Sequence, residues 1–327
     1  MRVIGAVCAS LLALLPVAAA AQDIVSETQV VAAVDERPIT FYVDRPPVAE
    51  KLPILLVVDG SGCSGQRRPS SWGNFAPTPD ASRAYARLMV EKPGVEPETP
   101  HGGECSAAFN RYYTIQNRVL DHLRVLQHLA ATAAWWNGEV YLWGWSDGGD
   151  IGAQILTYRP DIRRAVLGAM GGGLTMAEHF ERFWACPPES TDDRDSCLAD
   201  LHRDFDAIRA NPSGDLIWNG ESYATWASRL DSRLSALLID NRVPLLIVHG
   251  ELDHENTPVE SARKLVADLE AARNPAYEYW EVRGMEHGWN NLPQDRQIAL
   301  RSAMLDWLLT GEVDAETRQL AVLGHTD

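Results

Sequence analysis

Basic side chains are scarce in this chain: 29 lysines and arginines stand against 45 aspartates and glutamates, a formal net charge of −16 over 327 residues. So acidic a protein lacks the basic patches that grip a phosphate backbone or an anionic bilayer, and this argues against nucleic acid and membrane surfaces as partners. Internal repeats and low-complexity runs are also missing. The remainder, 46% hydrophobic and 23% charged, is the composition of an ordinary globular protein, long enough for one large α/β domain with an insertion. Long apolar runs are confined to the first 21 residues, so no second membrane span is expected. That first segment carries Arg2, an apolar run from Val3 to Pro16 and small residues up to Ala21 ahead of Gln22. It reads as a signal peptide, with export to the periplasm or beyond, an uncleaved anchor being the alternative. No lipoprotein cleavage box surrounds Cys8. Removing residues 1–21 leaves 28 basic and 45 acidic residues, a net charge of −17.

What the chain does have is the run Val140-Tyr-Leu-Trp-Gly-Trp-Ser-Asp-Gly-Gly149, an apolar strand ending in G-x-S-x-G around Ser146. The pattern is that of a strand turning sharply into a helix, expected over Asp147 to Tyr158, with Ser146 strained at the apex. Gly144 and Gly148 remove Cβ atoms that the turn has no room for. Ser146 Oγ then stands at a helix N-terminus, where N–H groups and dipole favour developing negative charge. The plain alternative is a glycine-rich turn whose serine caps a helix.

A lone serine is a poor nucleophile and needs a base, itself oriented by an acid. Both follow in order. Val243-Pro-Leu-Leu-Ile-Val-His-Gly250 reads as a buried parallel strand with Asp253 just beyond its C-terminal end, where catalytic groups of open α/β sheets gather. Tyr277 to Val282 reads as another strand, and the loop after it carries His287. As alternatives, Asp253 is a helix cap and His287 an ordinary loop histidine. His254 is a weaker base candidate, because residues adjacent on a turn seldom point the same way. Upstream, Leu52 to Asp59 is a strand emptying into Gly-Ser-Gly-Cys-Ser-Gly65, a loop whose N–H groups can converge on an oxyanion.

With this fourth element the chain resembles the α/β-hydrolase superfamily from about Glu27 to about Thr310. The family's loop commonly reads His-Gly-x-Gly, whereas Asp59 stands first here. The resemblance implies oxyanion donors at the N–H of Asp147 and of Ser61, with Gly62 and Cys63 as neighbouring candidates. No cofactor or metal is expected, the cysteine spacing not being that of a zinc finger or ribbon, and Ser146 sets the chain apart from family members with an aspartate nucleophile. Four cysteines remain after export, and the favoured pairing is Cys186–Cys197, closing a short polar loop, with Cys63–Cys105 tying the oxyanion loop to the segment before the next helix.

The expected architecture is a mostly parallel sheet with helices on both faces. Strands are expected at 29–34, 38–43, 53–59, 88–94, 139–145 and 164–170, with helices at 81–88 and 110–134. Residues 171–241 break the rhythm with helical patterning at 176–184, 198–209 and 223–238 and no convincing strand. They are expected to form a cap inserted between core segments 22–170 and 242–327, a position where the family commonly carries one; an appendage away from the pocket is the alternative. Trp184, Trp218 and Trp226 either line the pocket or form the cap's own core.

The expected activity is that of an exported serine hydrolase cleaving a carboxylic ester or related acyl bond of a small-molecule or peptide acyl substrate through a Ser146-His287-Asp253 acyl-enzyme mechanism, with ester, thioester and amide substrates and oligomeric state open. The Gly-Trp-Ser-Asp-Gly-Gly run and the later His249-Gly-x-x-Asp253 are similar to prolyl-oligopeptidase-type peptidases and to esterases of amino-acid esters, which keeps a serine peptidase as an alternative. A non-catalytic hydrolase-fold binding protein is another. The Asp147 carboxylate either holds a substrate ammonium or faces away from the pocket.

Overall fold

Alternation of side chains along apolar strands lets both faces of one sheet be covered, and the computed structural model, which describes residues 24–68, 84–189 and 192–324, is built that way. Residues 1–21, read from the sequence as a signal peptide, lie outside the described residues. Ten strands occur among the described residues, eight of them in one sheet: β1 (Val25–Ala32), β2 (Pro38–Arg45), β3 (Leu52–Val58), β4 (Ala86–Val90), β5 (Trp136–Trp145), β6 (Arg164–Gly168), β9 (Leu245–Gly250) and β10 (Tyr277–Val282). Their order is β1-β2-β4-β3-β5-β6-β9-β10, antiparallel at β1/β2 and β2/β4 and parallel elsewhere.

Ile54, Leu56 and Val58 of β3 face one core with helices α2 (Ile115–Thr132), α3 (Asp147–Tyr158), α7 (Leu234–Leu238) and α8 (Val259–Ala271). Leu55 and Val57 face the other core, under α9 (Gln294–Thr310) and α10 (Ala315–Leu323). At about 1.5–3 kcal/mol per buried aliphatic side chain, this two-sided burial is what holds β3 and β5 at the sheet's centre. Every parallel strand from β3 onward presents its C-terminal end to the same edge, and the elbow and both later loops open there.

Four sequence expectations need correction. The helix expected at 81–88 is β4 where the chain is described at 86–88, and 81–83 lie outside the described residues. Arg87 sits directly across from Asp44 on β2, and its Nε donates to Asp44 Oδ2 at 3.2 Å. This buried cross-strand pair overrides the helical look of Arg-Ala-Tyr-Ala-Arg-Leu. The single helix expected at 110–134 is two, α1 (Ala107–Tyr112) and α2, because Thr114 takes extended backbone and its hydroxyl accepts from Asn117 N at 3.2 Å, capping α2.

Within residues 171–241, α4 (Met176–His179) runs into a π turn (Phe180–Trp184), and α5 (Arg194–Ala210) follows. The helix expected at 223–238 is α6 (Tyr223–Ala227) and α7, separated by a loop. A small hairpin, β7 (Ile217–Trp218) with β8 (Glu221–Ser222), forms where no strand is expected. Asn219 and Gly220 both take positive φ, 44° and 83°, as a tight two-residue turn requires. The segment has a core of its own, where Phe180, Phe205, Trp218 and Trp226 meet edge to face. Trp184 and Trp226 belong to that core and also line the cavity above Ser146, whereas Trp218 is core alone. Both disulfides form as paired from the sequence, Cys63–Cys105 and Cys186–Cys197.

Candidate active site

Ser146 has φ 56° and ψ −129°, a conformation that a side chain rarely adopts and that the surrounding backbone imposes. The glycines explain how the turn fits. A Cβ on Gly144 would lie 2.3 Å from Gly148 O, and one on Gly148 would lie 2.1 Å from Val58 O. The apex is pinned by Ser146 N donating to Gly168 O at 2.8 Å, which ties the elbow to the end of β6.

The three residues expected to act together do meet. His287 Nδ1 donates to Asp253 Oδ2 at 2.7 Å, and Ser146 Oγ donates to His287 Nε2 at 2.9 Å, the tautomer being set by these partners. Asp253 is 1% exposed and its second oxygen accepts from Thr257 N at 3.0 Å, so the carboxylate is fixed on both sides. Trp145 Nε1 donates to His287 O at 3.0 Å and anchors the histidine loop. His254 is exposed, with Nδ1 3.9 Å from Glu260 Oε1, and takes no part. His249, one residue before the end of β9, has Nε2 2.8 Å from Thr257 O and 3.5 Å from Asp253 Oδ2. Its burial holds it below the usual histidine range, so it is neutral and backs the carboxylate without competing for it.

Asp147 opens α3, so its N–H has no intrahelical acceptor and is available beside Ser146. Ser61 lines the same cavity as Ser146 and His287. Gly60 runs so close that a Cβ on it would lie 3.4 Å from Ser146 Cβ. Beneath this loop lies a residue that sequence reading missed. Lys92, fully buried, donates from Nζ to Gly62 O at 2.7 Å and Ser61 O at 3.3 Å, and pairs with Asp59 Oδ2 at 3.0 Å. With those carbonyls turned to Lys92, the Ser61–Gly62 and Gly62–Cys63 peptide planes are fixed. Asp59 also accepts from Gln66 Nε2 at 3.1 Å and Arg68 Nη1 at 3.2 Å. The departure from His-Gly-x-Gly is therefore an acid that holds a buried lysine under the loop.

The Asp147 carboxylate is occupied by three protein donors. Its Oδ2 accepts from Tyr113 OH at 2.6 Å and Arg118 Nη1 at 3.0 Å, and its Oδ1 from Arg229 Nη1 at 2.8 Å. Burial by itself would raise this carboxyl; Arg229 and Arg118, with the tyrosine hydroxyl, outweigh it and hold the group below the usual aspartate range. Neither arginine carries a local sequence signal, since their partner lies 29 and 82 residues away.

No protein-family model matches the chain and no curated relative matches it. Solved structures do. An acylaminoacyl peptidase of Pyrococcus horikoshii superposes with a TM-score of 0.60 at 13% identity, over 91% of this chain and 44% of its own. A puromycin-hydrolyzing peptidase of Mycobacterium tuberculosis gives 0.56 at 19%, over 92% and 42%. The chain thus spans about two fifths of the length of these two peptidases. A cold-adapted esterase from an Arctic intertidal metagenomic library gives 0.53 at 14%, over 88% and 93%. The chain has the α/β-hydrolase fold.

Proposed function

We propose that this protein is a serine hydrolase that cleaves carboxylic esters through an acyl-enzyme. The observation that carries the reading is the unbroken line Ser146 Oγ, His287, Asp253, with hydrogen bonds of 2.9 and 2.7 Å, ending at a strained serine that lines a cavity of about 370 Å³. In this scheme Ser146 Oγ attacks the acyl carbon as its proton passes to His287 Nε2. The oxyanion is met by the N–H groups of Asp147 and Ser61, each such donor contributing about 10²–10³ in rate. His287 returns the proton to the departing alkoxide, and water repeats the cycle on the acyl-enzyme. Asp253 holds the imidazole tautomer and stabilises the imidazolium.

The near full-length likeness to an esterase supports an ester substrate. The likeness to two peptidases supports an aminoacyl amide as the second reading. On the same footing residues 171–241 act as a cap, supported by Trp184, Trp226 and Arg229 lining the cavity over Ser146. Export is supported by the leader at 1–21 and by two disulfides. The test is a panel of p-nitrophenyl esters and aminoacyl p-nitroanilides with wild type and Ser146→Ala. Ester turnover lost in Ser146→Ala is expected. Preferential anilide cleavage would select the peptidase reading, and ester turnover retained in Ser146→Ala would overturn both.

A further inference from the structure

Buried polar atoms in folded proteins almost always have a partner. Around the cavity over Ser146, five side chains depart from that rule together: Asp150 at Oδ1, His179 at both ring nitrogens, Trp184 at Nε1, Glu221 at Oε2, and Arg229 at Nε and Nη2. Each such atom left alone costs about 1–3 kcal/mol. Their gathering around one cavity marks a lining shaped for a polar group that is not part of the fold.

The charges decide which group. Arg229 is 7% exposed and spends only Nη1 on Asp147. The Nε/Nη2 edge, whose spacing matches the two oxygens of a carboxylate, has no protein partner. Asp147 already serves Arg118 as well, so two guanidiniums share one carboxylate and the group carries excess positive charge. Burial raises the carboxyl of Asp150 well above its usual range, with Asp147 adding to it, and burial raises Glu221 too. Asp150 then presents an O–H donor. Burial also lowers His179 to about 4, leaving it neutral with one N–H, and Trp184 adds another. The lining is therefore rich in donors. An ammonium would have to lie against two guanidiniums and force Asp150 to ionise beside Asp147. Asp150 follows Ser146 by one helical turn on α3 and so shares its face, which places this lining next to the reacting carbonyl.

We propose that the Nε/Nη2 edge of Arg229, in the cavity that Asp150, His179, Trp184 and Glu221 also line, binds a carboxylate of the substrate, so that the enzyme prefers monoesters of short diacids over neutral or cationic esters. This inference rests on the hydrolase reading above. In the test, kcat/KM is measured for the monoethyl esters of succinate, glutarate and adipate, and for matched esters ending in a carboxamide, a methyl group or an ammonium. Direct binding of glutarate and of monoethyl glutarate to Ser146→Ala protein is measured by calorimetry, independently of turnover.

At least one diacid monoester should exceed its carboxamide and ammonium counterparts by about tenfold to a hundredfold, the range of a charge-assisted pair. Arg229→Gln should collapse that ratio and the calorimetric signal, whereas Arg203→Gln, on the exposed face of α5 and outside the cavity lining, should retain the preference. Folding of each variant is checked by its thermal midpoint, and if Arg229→Gln fails to fold, the ratios on wild type and the calorimetry of Ser146→Ala decide. Neutral esters cleaved with no carboxylate preference, a preference for ammonium, or an unchanged ratio in folded Arg229→Gln would overturn the inference and leave the hydrolase reading standing. No turnover of any ester combined with carboxylate binding to Ser146→Ala would overturn the hydrolase reading and keep the site.

Discussion

Asp147→Asn keeps the size of the side chain and the backbone N–H and removes one negative charge between two arginines. In the native protein that charge is shared by Arg118 Nη1 at 3.0 Å and Arg229 Nη1 at 2.8 Å, with side-chain exposures of 1% and 7%. Removing one member of a buried ion pair costs about 3–5 kcal/mol, because the remaining charge stays desolvated and alone. Here two cations are left facing each other, and the amide must also turn an NH₂ toward one of them. We expect a loss of about 3–5 kcal/mol in urea unfolding at pH 7, with a thermal midpoint lower by roughly 5–15 °C. The sign with pH follows from the lowered carboxyl: its contribution is complete above the unfolded value of 3.8 and is lost as pH falls through the lower folded value. The gap between wild type and variant should therefore be constant from pH 7 to 5 and narrow below about pH 4. Adding Arg229→Gln to Asp147→Asn should recover part of the loss, since it removes one of the stranded cations. A loss under about 1 kcal/mol at pH 7, or a double variant worse than the sum of the single ones, would refute this account of the cluster.

Lys92→Met keeps length and apolar volume but releases the carbonyls of Ser61 and Gly62; kcat should fall by about tenfold or more with little change in KM, because the loop serves the transition state. A rise in KM alone would argue against that role. Replacing Cys63 and Cys105 by serine should cost about 4 kcal/mol and replacing Cys186 and Cys197 about 3 kcal/mol, from loops with separations of 42 and 11, as read by unfolding midpoints. His122, fully buried with Nδ1 2.6 Å from Arg118 O, is lowered to about 3 by burial and by Arg118. Between pH 7 and 5 the unfolded chain gains a proton there and the folded one does not, so wild type should lose about 2 kcal/mol relative to His122→Gln. Parallel pH profiles of the two would contradict the neutral buried imidazole.

The elbow was legible because its requirements are local: an apolar strand, two glycines at fixed offsets and an immediate helix. Asp253 and His287 were legible because each follows a buried strand on the same edge of the sheet, in an order that the chain states directly. Pairings across long separations were not. Lys92 lies 33 residues from Asp59 in an unremarkable Glu-Lys-Pro-Gly turn, and only the sheet brings them together. Arg118 reads as the polar face of α2 although it is 2% exposed. The misread at 81–88 has the same origin, since Arg87 is tolerated in a buried strand only because Asp44 lies across from it. The breaks at Tyr113-Thr114 and between α6 and α7 were hidden because the apolar spacing continues through them while cap geometry interrupts the helix.

The central claim is that Ser146 is a nucleophile activated by His287. Intact-mass and peptide mapping after exposure to a fluorophosphonate tests it most directly, with wild type, Ser146→Ala and His287→Ala compared. The account predicts one adduct per wild-type chain, located on Ser146, absent in Ser146→Ala and formed at least a hundredfold more slowly in His287→Ala, in line with the role of a general base. An unlabelled wild type, an adduct on another residue, or equal labelling rates with and without His287 would contradict it.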